Sequence, residues 1–509
     1  MLRGILNSIG VTAAGSGGTG TLYIDKTDDN YGLGEGITFN ADAEDNIALG
    51  ANALNDNDGA ALRNIAIGTD ALTALTTGDD NICIGTEAGD QLTTNTNNIA
   101  IGSYSLDAAD NGENNNIAIG HLAMSGVNNA ASDGNVAIGY NVMAGATTAA
   151  GATNVAIGSN AMASGSSEAS GTIAIGSQAL YALTTGAYNT AVGHNSGLEN
   201  KLGDSNIAIG YGAFDDAYID DTTDAANDDN IFIGVNTGGG TWTAASSSTV
   251  YSCSKNVGIG SNAMAAAMSG ALYNTALGYN THNGLTTGDY NTVLGSTAGY
   301  VLSSGTKNTV CGSYALSTST DVDNAVAIGY NAMQAGDVTD AADGTVAIGY
   351  EALKALTSGI GNLAIGYQAM DGNQTSDYNI AIGYDTLSAL TADGTAGNVA
   401  IGHAAGQSVL SGTGNVAVGY TALQNANGSE TDNVAIGYQA MTNVDASSSG
   451  ANNIAIGRNA LIGGGTTTTV GNIAIGGSAL SATAGNDQTG TIAIGKSALS
   501  ALTSGAGNV

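Results

Sequence analysis

The 509-residue chain contains no proline, one tryptophan, three phenylalanines and nine lysines and arginines together. Without proline, its 78 glycines cannot belong to a collagen helix. Charged residues make up 10% against the quarter or so of an ordinary domain, and 43% of the chain is apolar with regularly spaced Ile, Val, Leu and Ala, which excludes simple disorder. The shortage of basic residues leaves 43 acidic side chains and a formal net charge of −34, so nucleic acid and other polyanions are repelled. The acids fall mostly between the repeated motifs, where they keep an exposed surface soluble; divalent-cation binding in those segments is the alternative. Cys83, Cys253 and Cys311 are far apart, with no disulfide framework and no CxxC pattern. Long apolar runs are missing too: nothing approaches a membrane-spanning helix. Met1 to Val11, with one Arg and a glycine-interrupted apolar stretch, is too weak for a secretory signal.

What the chain has instead is one short pattern repeated. Asn, aliphatic, Ala, aliphatic, Gly is followed by two variable residues and Ala-Leu or Ala-Met, as in Asn64-Ile65-Ala66-Ile67-Gly68 with Ala71-Leu72, or Asn433-Val434-Ala435-Ile436-Gly437 with Ala440-Met441. There are 25 copies, their glycines running from Gly50 to Gly495, most often 17 to 19 residues apart. Asn opens 21 of the 25, the exceptions being Thr172, Ala325, Thr345 and Thr491. Repetition at this period predicts a solenoid, in which length measures extent along an axis and not domain count.

Within the motif the large aliphatics alternate with Ala, the period of two of a strand. Both faces are apolar, so the expectation is a strand buried on both sides, with the Ile/Val pair filling the coil interior and the Ala column against something that admits only a methyl group. Glycine suits a corner with positive φ, and Asn bonds neighbouring backbone. The following Ala-Leu/Met is expected to form a second short strand, and Leu-Thr-Thr-Gly an exposed return. At about 4.8 Å per coil the stack would make a rod. Residues 1–45 do not repeat and are read as a cap or attachment segment, with a possible strand at Gly36-Ile37-Thr38-Phe39; residues 46–509 are the solenoid, which Asn508-Val509 suggests continues beyond 509. Cys83 occupies an alanine position and Cys311 an aliphatic one, so both read as small buried hydrophobes.

The Asn-x-Ala-Ile-Gly motif, once per short coil over roughly residues 46 to 509, resembles the head repeat of trimeric autotransporter adhesins of the YadA type. The resemblance implies a left-handed parallel β-roll and a homotrimer, with the Ala column as a plausible trimer-facing surface. The repeats are longer than those of the adhesins, and neither a heptad stalk nor a C-terminal anchor of alternating strands is visible. Repeats of this looser kind, with Gly-Tyr after the strand and a Thr-Thr-Gly return, look like those of bacteriophage tail fibres, which need no secretory signal. The expectation is therefore a non-enzymatic fibre shaft of a virion, presenting host-receptor binding, docked to the particle through its N-terminus and touching a host-surface glycan or protein. The alternatives are a bacterial cell-surface adhesin and a polysaccharide-degrading spike.

Candidate sites are few. The residue after the motif glycine is Tyr in nine copies, and Tyr330, Tyr350, Tyr367 and Tyr384 fall in consecutive ones, so they should stack as a ladder or offer a surface to glycan rings. His121, His194 and His403 share that column. Between Gly210 and Gly260 the spacing stretches to 24 and then 26 residues. Those insertions (211–259) hold Phe214, Tyr218, Trp242, Tyr251 and Cys253, with Phe232 in the strand between, readable as a recognition patch or as local packing. The histidines lack metal or triad spacing, the acid pairs Asp215-Asp216 and Asp220-Asp221 alone do not make a glycosidase, and no cofactor-binding loop stands out.

Overall fold

The computed structural model describes residues 21–24, 29–37, 39, 42–55, 59–110, 112–145, 151–164, 169–216, 227–240, 253–334, 342–391, 394–426, 428, 430–443, 450–463, 469–482, 488–502 and 505–509. It divides into two compact units, Met1–Ser205 and Asn206–Val509. Each is a parallel β-solenoid, all-β, with no α-helix among the described residues.

In the first unit, motif strands of three residues pair in parallel and in register from one coil to the next. Ile65 lies opposite Ile82, Ala66 opposite Cys83 and Ile67 opposite Ile84, and so on to Thr190–Val192. The second unit repeats this from Ile207–Ile209 to Ile492–Ile494. Exact register follows from the period of two, since a one-residue slip would exchange the faces of every strand. The ladder starts one turn before the motif count. Tyr31–Gly34 pairs in parallel with Ile47–Leu49, placing Gly32 beside Ala48, so Asn30-Tyr31-Gly32-Leu33-Gly34 is a further copy with Gly in the Ala position. Strand structure is at Tyr31–Gly34 and not at Gly36–Ile37; Thr38 lies outside the described residues. Thr21–Ile24 pairs antiparallel with Tyr31–Gly34, covering the edge of that first rung.

The faces of the strand are the reverse of the expectation. Ala66, Ala100, Ala347 and Ala364 are fully buried, whereas the flanking Ile and Val are half-buried or exposed. Alanine points into the coil because the coil is thin. The buried Ala71, Leu72 and Leu75 come from the opposite wall and leave little room across from them; Cys83, Phe232, Val293 and Val310 are the only larger residues in that column. The Ile/Val pairs therefore stand on the outside, and the Ala column cannot face another chain.

The Ala-Leu/Met segment is not a strand. It is a turn in which two alternate residues adopt left-handed backbone, as at Asp70 (φ 56°) and Leu72 (φ 51°). Each such residue costs about 1–2 kcal/mol. Hydrogen bonds between coils offset this: the Asp70 amide donates to the Ala51 carbonyl (2.9 Å) and that of Leu72 to Ala88 (3.1 Å). The alternation lets Ala71 and Leu72 both turn inward, and Leu75 of the return is buried as well. The motif glycine closes the corner at a φ that side chains avoid, +138° at Gly68, where a Cβ would run into the carbonyl of Gly85 in the next coil.

The asparagines form the most continuous polar feature. Asn291 Oδ1 accepts from both the backbone N–H and the side-chain Nδ2 of Asn308, each at 3.0 Å, while Asn291 Nδ2 donates to Asn274 Oδ1 (3.0 Å) and to the Gly305 carbonyl on the return of its own coil (2.7 Å). These amides are buried. Asn30 joins the column by accepting from Asn46. Where Ala325 replaces Asn, its N–H still donates to Asn308 Oδ1 (2.8 Å), but the column has no side chain to pass on.

Replacing Asn291 by Ala should lower unfolding free energy by about 1–3 kcal/mol through the buried groups left unpaired. Ala325→Asn should raise it by about 1 kcal/mol. The check is the urea midpoint of each variant against the parent.

Candidate binding surfaces

Because alanine takes the inside, each solenoid unit carries two outer columns of large aliphatic residues. Exposure reaches 38% at Ile173, Ile175 and Ile401 and 46% at Leu277. No position in either column of any motif strand is charged, in a chain of net charge −34. Thr275, Thr292 and Thr309 make one column polar over three successive coils. Cys311 belongs to this face: it is exposed, not the buried hydrophobe expected, while Cys83 and Cys253 are buried free thiols.

Next to that face runs the column after the motif glycine. Tyr330, Tyr350, Tyr367 and Tyr384 stack ring on ring, with centroids 5.5, 4.9 and 4.9 Å apart and planes within 14° of parallel. The stack continues through His403 (5.1 Å), Tyr420 (5.0 Å) and Tyr438 (5.3 Å). The Arg458 guanidinium caps it 5.4 Å from the Tyr438 ring, and Tyr314 meets Tyr330 edge-on at the other end. His121 stacks likewise on Tyr140 in the first unit. A second, shorter stack sits just before the motif asparagine: Tyr273 on Tyr290 at 4.9 Å, with Lys255 over Tyr273. The motif-based reading missed this stack because that position is Gly or a small polar residue in most copies, its other tyrosines, Tyr188 and Tyr378, standing in separate coils.

Of the aromatics near the long insertions, Tyr218, Trp242 and Tyr251 lie outside the described residues. Phe214 and Phe232 are buried inside the coil, their rings 5.3 Å apart. Phe232 occupies the alanine column and has space because the next coil carries Gly258 there. A Cβ on Gly258 would come within 2.9 Å of the Phe232 ring, and one on Gly238 within 2.8 Å. These two phenylalanines are internal packing.

The titratable groups divide by burial. Desolvation pushes the carboxyls of Asp107, Asp215 and Asp371 up to about 6; Asp385 and Glu351 add repulsion at Asp371. Asp70, Glu87 and Asp90 line an open concavity of the first unit. Among the described residues no three His, Cys, Asp or Glu side chains are grouped to hold a metal ion, and no helix is long and apolar enough to cross a membrane. Asp220 and Asp221 lie outside the described residues.

His282 is the exception among the histidines. Thr281-His282 stands where other copies have Ala-Leu or Ala-Met, so the ring lies fully buried in the apolar interior. Neither ring nitrogen has a well-formed hydrogen bond. Burial pushes its pKa down to about 3, offset only partly by the backbone of Leu302. A folded pKa below the unfolded value of about 6.5 means that the unfolded chain takes up the proton first as pH falls. The stability associated with neutral His282 is thus intact above about pH 6.5 and declines below it, by up to about 1.4 kcal/mol per pH unit. His282→Leu should remove this part of the acid sensitivity between pH 6.5 and 4, read as the difference in urea midpoint between variant and parent across that range.

Comparison with known families finds no family model that matches the chain, and no match is found among curated proteins.

Proposed function

We propose that the chain is the shaft of a fibre, a homotrimeric left-handed β-roll that self-associates through its outer aliphatic columns and presents host-surface binding, as on a virion. The observation that carries this reading is the uncharged double column of Ile, Val and Leu on the outer face of each unit. An exposed apolar surface that recurs on nearly every coil exceeds what a lone soluble chain normally tolerates. Its occupant is best matched by a second and third copy of the same surface. Elsewhere the copies repel one another through their acidic segments, and on this face they can approach without bringing like charges together. The family resemblance of the motif supplies the number three and the handedness.

Mechanically, such a shaft needs no chemistry. Amide, glycine and backbone ladders resist bending within each unit, and weak contacts repeated along the surface would sum to firm attachment.

The test uses Cys311, the one exposed thiol among the three cysteines. Light scattering of the purified chain should give three times the chain mass. Cys311 should be protected from maleimide in the assembly, and mild oxidation should cross-link chains in pairs. Ile365→Glu, which puts a charge on the outer column, should yield monomers with unchanged far-ultraviolet circular dichroism. A monomeric parent with freely reactive Cys311 would overturn the reading.

A further inference from the structure

The aromatic stack from Tyr330 to Tyr438 is not needed to fold a coil. In the first unit the same column folds with Thr69, Thr86, Ser103, Ser159 and Ser177, and in the second with Ser261, Ser296 and Ser313. Yet seven consecutive coils carry a ring there, and the six tyrosines are exposed to nearly the same degree, from 41% at Tyr350 to 47% at Tyr420. A run of seven rings, 4.9 to 5.5 Å apart and left open to solvent, suits a ligand that is itself periodic.

Geometry restricts that ligand. Inside the stack each ring faces a ring on both sides at 4.9 to 5.5 Å, so a sugar cannot lie flat on one isolated ring. What the surface offers is a row of ring edges, with a phenol hydroxyl in six of the seven coils and the His403 imidazole in the other, each able to donate and accept. A matching partner is an extended chain lying along the solenoid axis with one hydroxyl-bearing unit per coil, roughly 4.8 Å. An extended peptide repeats its side chains on one face at roughly 6.6 Å and drifts out of step. Single-stranded nucleic acid is repelled by the acidic chain. A chain of β-1,4-linked pyranose rings advances by close to one ring per coil, and although successive rings turn over, each carries hydroxyls on both edges, so every ring can present one to the row. The same negative charge excludes acidic polysaccharides. Two carboxylates directly follow tyrosines of the row: Glu351 is engaged by Lys354 and Gln368, both at 2.8 Å, and Asp385 accepts from Gln407 at 3.4 Å.

We infer that the row Tyr330, Tyr350, Tyr367, Tyr384, His403, Tyr420 and Tyr438 is a binding rail for a neutral, linear β-1,4-linked glycan lying parallel to the solenoid axis. The inference rests on the fibre reading for its biological sense, naming the class of surface such a shaft would hold. Each contact is weak, and affinity comes from many hydroxyl pairs engaged in register.

The experiment titrates the purified chain with β-1,4-linked glucose oligomers from disaccharide to hexasaccharide, following tyrosine fluorescence and calorimetry. Affinity should rise at least about tenfold from the disaccharide to the hexasaccharide. The double variant Tyr367→Ser, Tyr384→Ser, which installs the residue other coils carry, should lose about tenfold in hexasaccharide affinity with circular dichroism unchanged. Replacing Tyr273 and Tyr290 by Ser should leave binding unaltered. Absence of binding, affinity independent of length, equal binding of α-1,4-linked oligomers, or indifference to the double variant would each overturn the rail. Light scattering on the same samples separates this from the fibre reading: a trimer that ignores the glycan refutes only the rail, and a monomer refutes the shaft.

Discussion

Most motif asparagines use one amide for two tasks. The nitrogen closes the residue's own coil, from Asn291 to the Gly305 carbonyl, and reaches back to the preceding asparagine, while the oxygen receives the next. Nothing smaller does both. Thr345 retains only long bonds, to Gly359 and from Asn362 at 3.3 and 3.4 Å, and Ala325 supplies no side-chain partner. In a buried, low-dielectric column such bonds are costly to leave unmade. The strands, only three residues long, are held in register by neighbours that are themselves fixed by this column. The left-handed turns and the crowded glycine corners can persist because the coil on either side admits no other arrangement.

The second constraint is the thinness of the coil. One wall contributes a methyl group, and the other contributes Leu or Met, so the interior is filled with very little apolar mass per residue. Larger side chains that would be core in a globular domain are displaced to the outside. Stability is thereby distributed along the stack instead of being concentrated in a centre.

Much of this was legible in the sequence. The period, the parallel register, the corner glycine and the tyrosine row follow from equivalent residues recurring at equivalent positions. The orientation of the strand was not legible, because Ile65, Ala66 and Ile67 are all apolar and the alternation alone does not say which wall is nearer. The width of the interior decides it, and that width is set by residues such as Leu72 and Leu75 whose left-handed turn no motif announces. The rung at Asn30 escaped notice because Gly32 replaces the alanine and Gly34 precedes Gly50 by 16 residues. His282 could have been found by aligning it with the Leu and Met of other copies. For the Ile/Val columns and the tyrosine rail, sequence gives the composition and structure gives the exposure; what covers them is a matter of chemistry between molecules.

Phe232 and Gly258 show that the copies, though alike, are not interchangeable. Most coils meet equal neighbours, so loss or duplication of one turn during replication of a repetitive gene would rejoin Asn to Asn and Gly to Gly without a mismatch. Such a chain can change length by whole turns as it evolves. Excision of the turn containing Gly258 would instead set the Phe232 ring against Ala276, the alanine of the following coil. This pair of coils is therefore a place where the loss of a turn is penalised by packing.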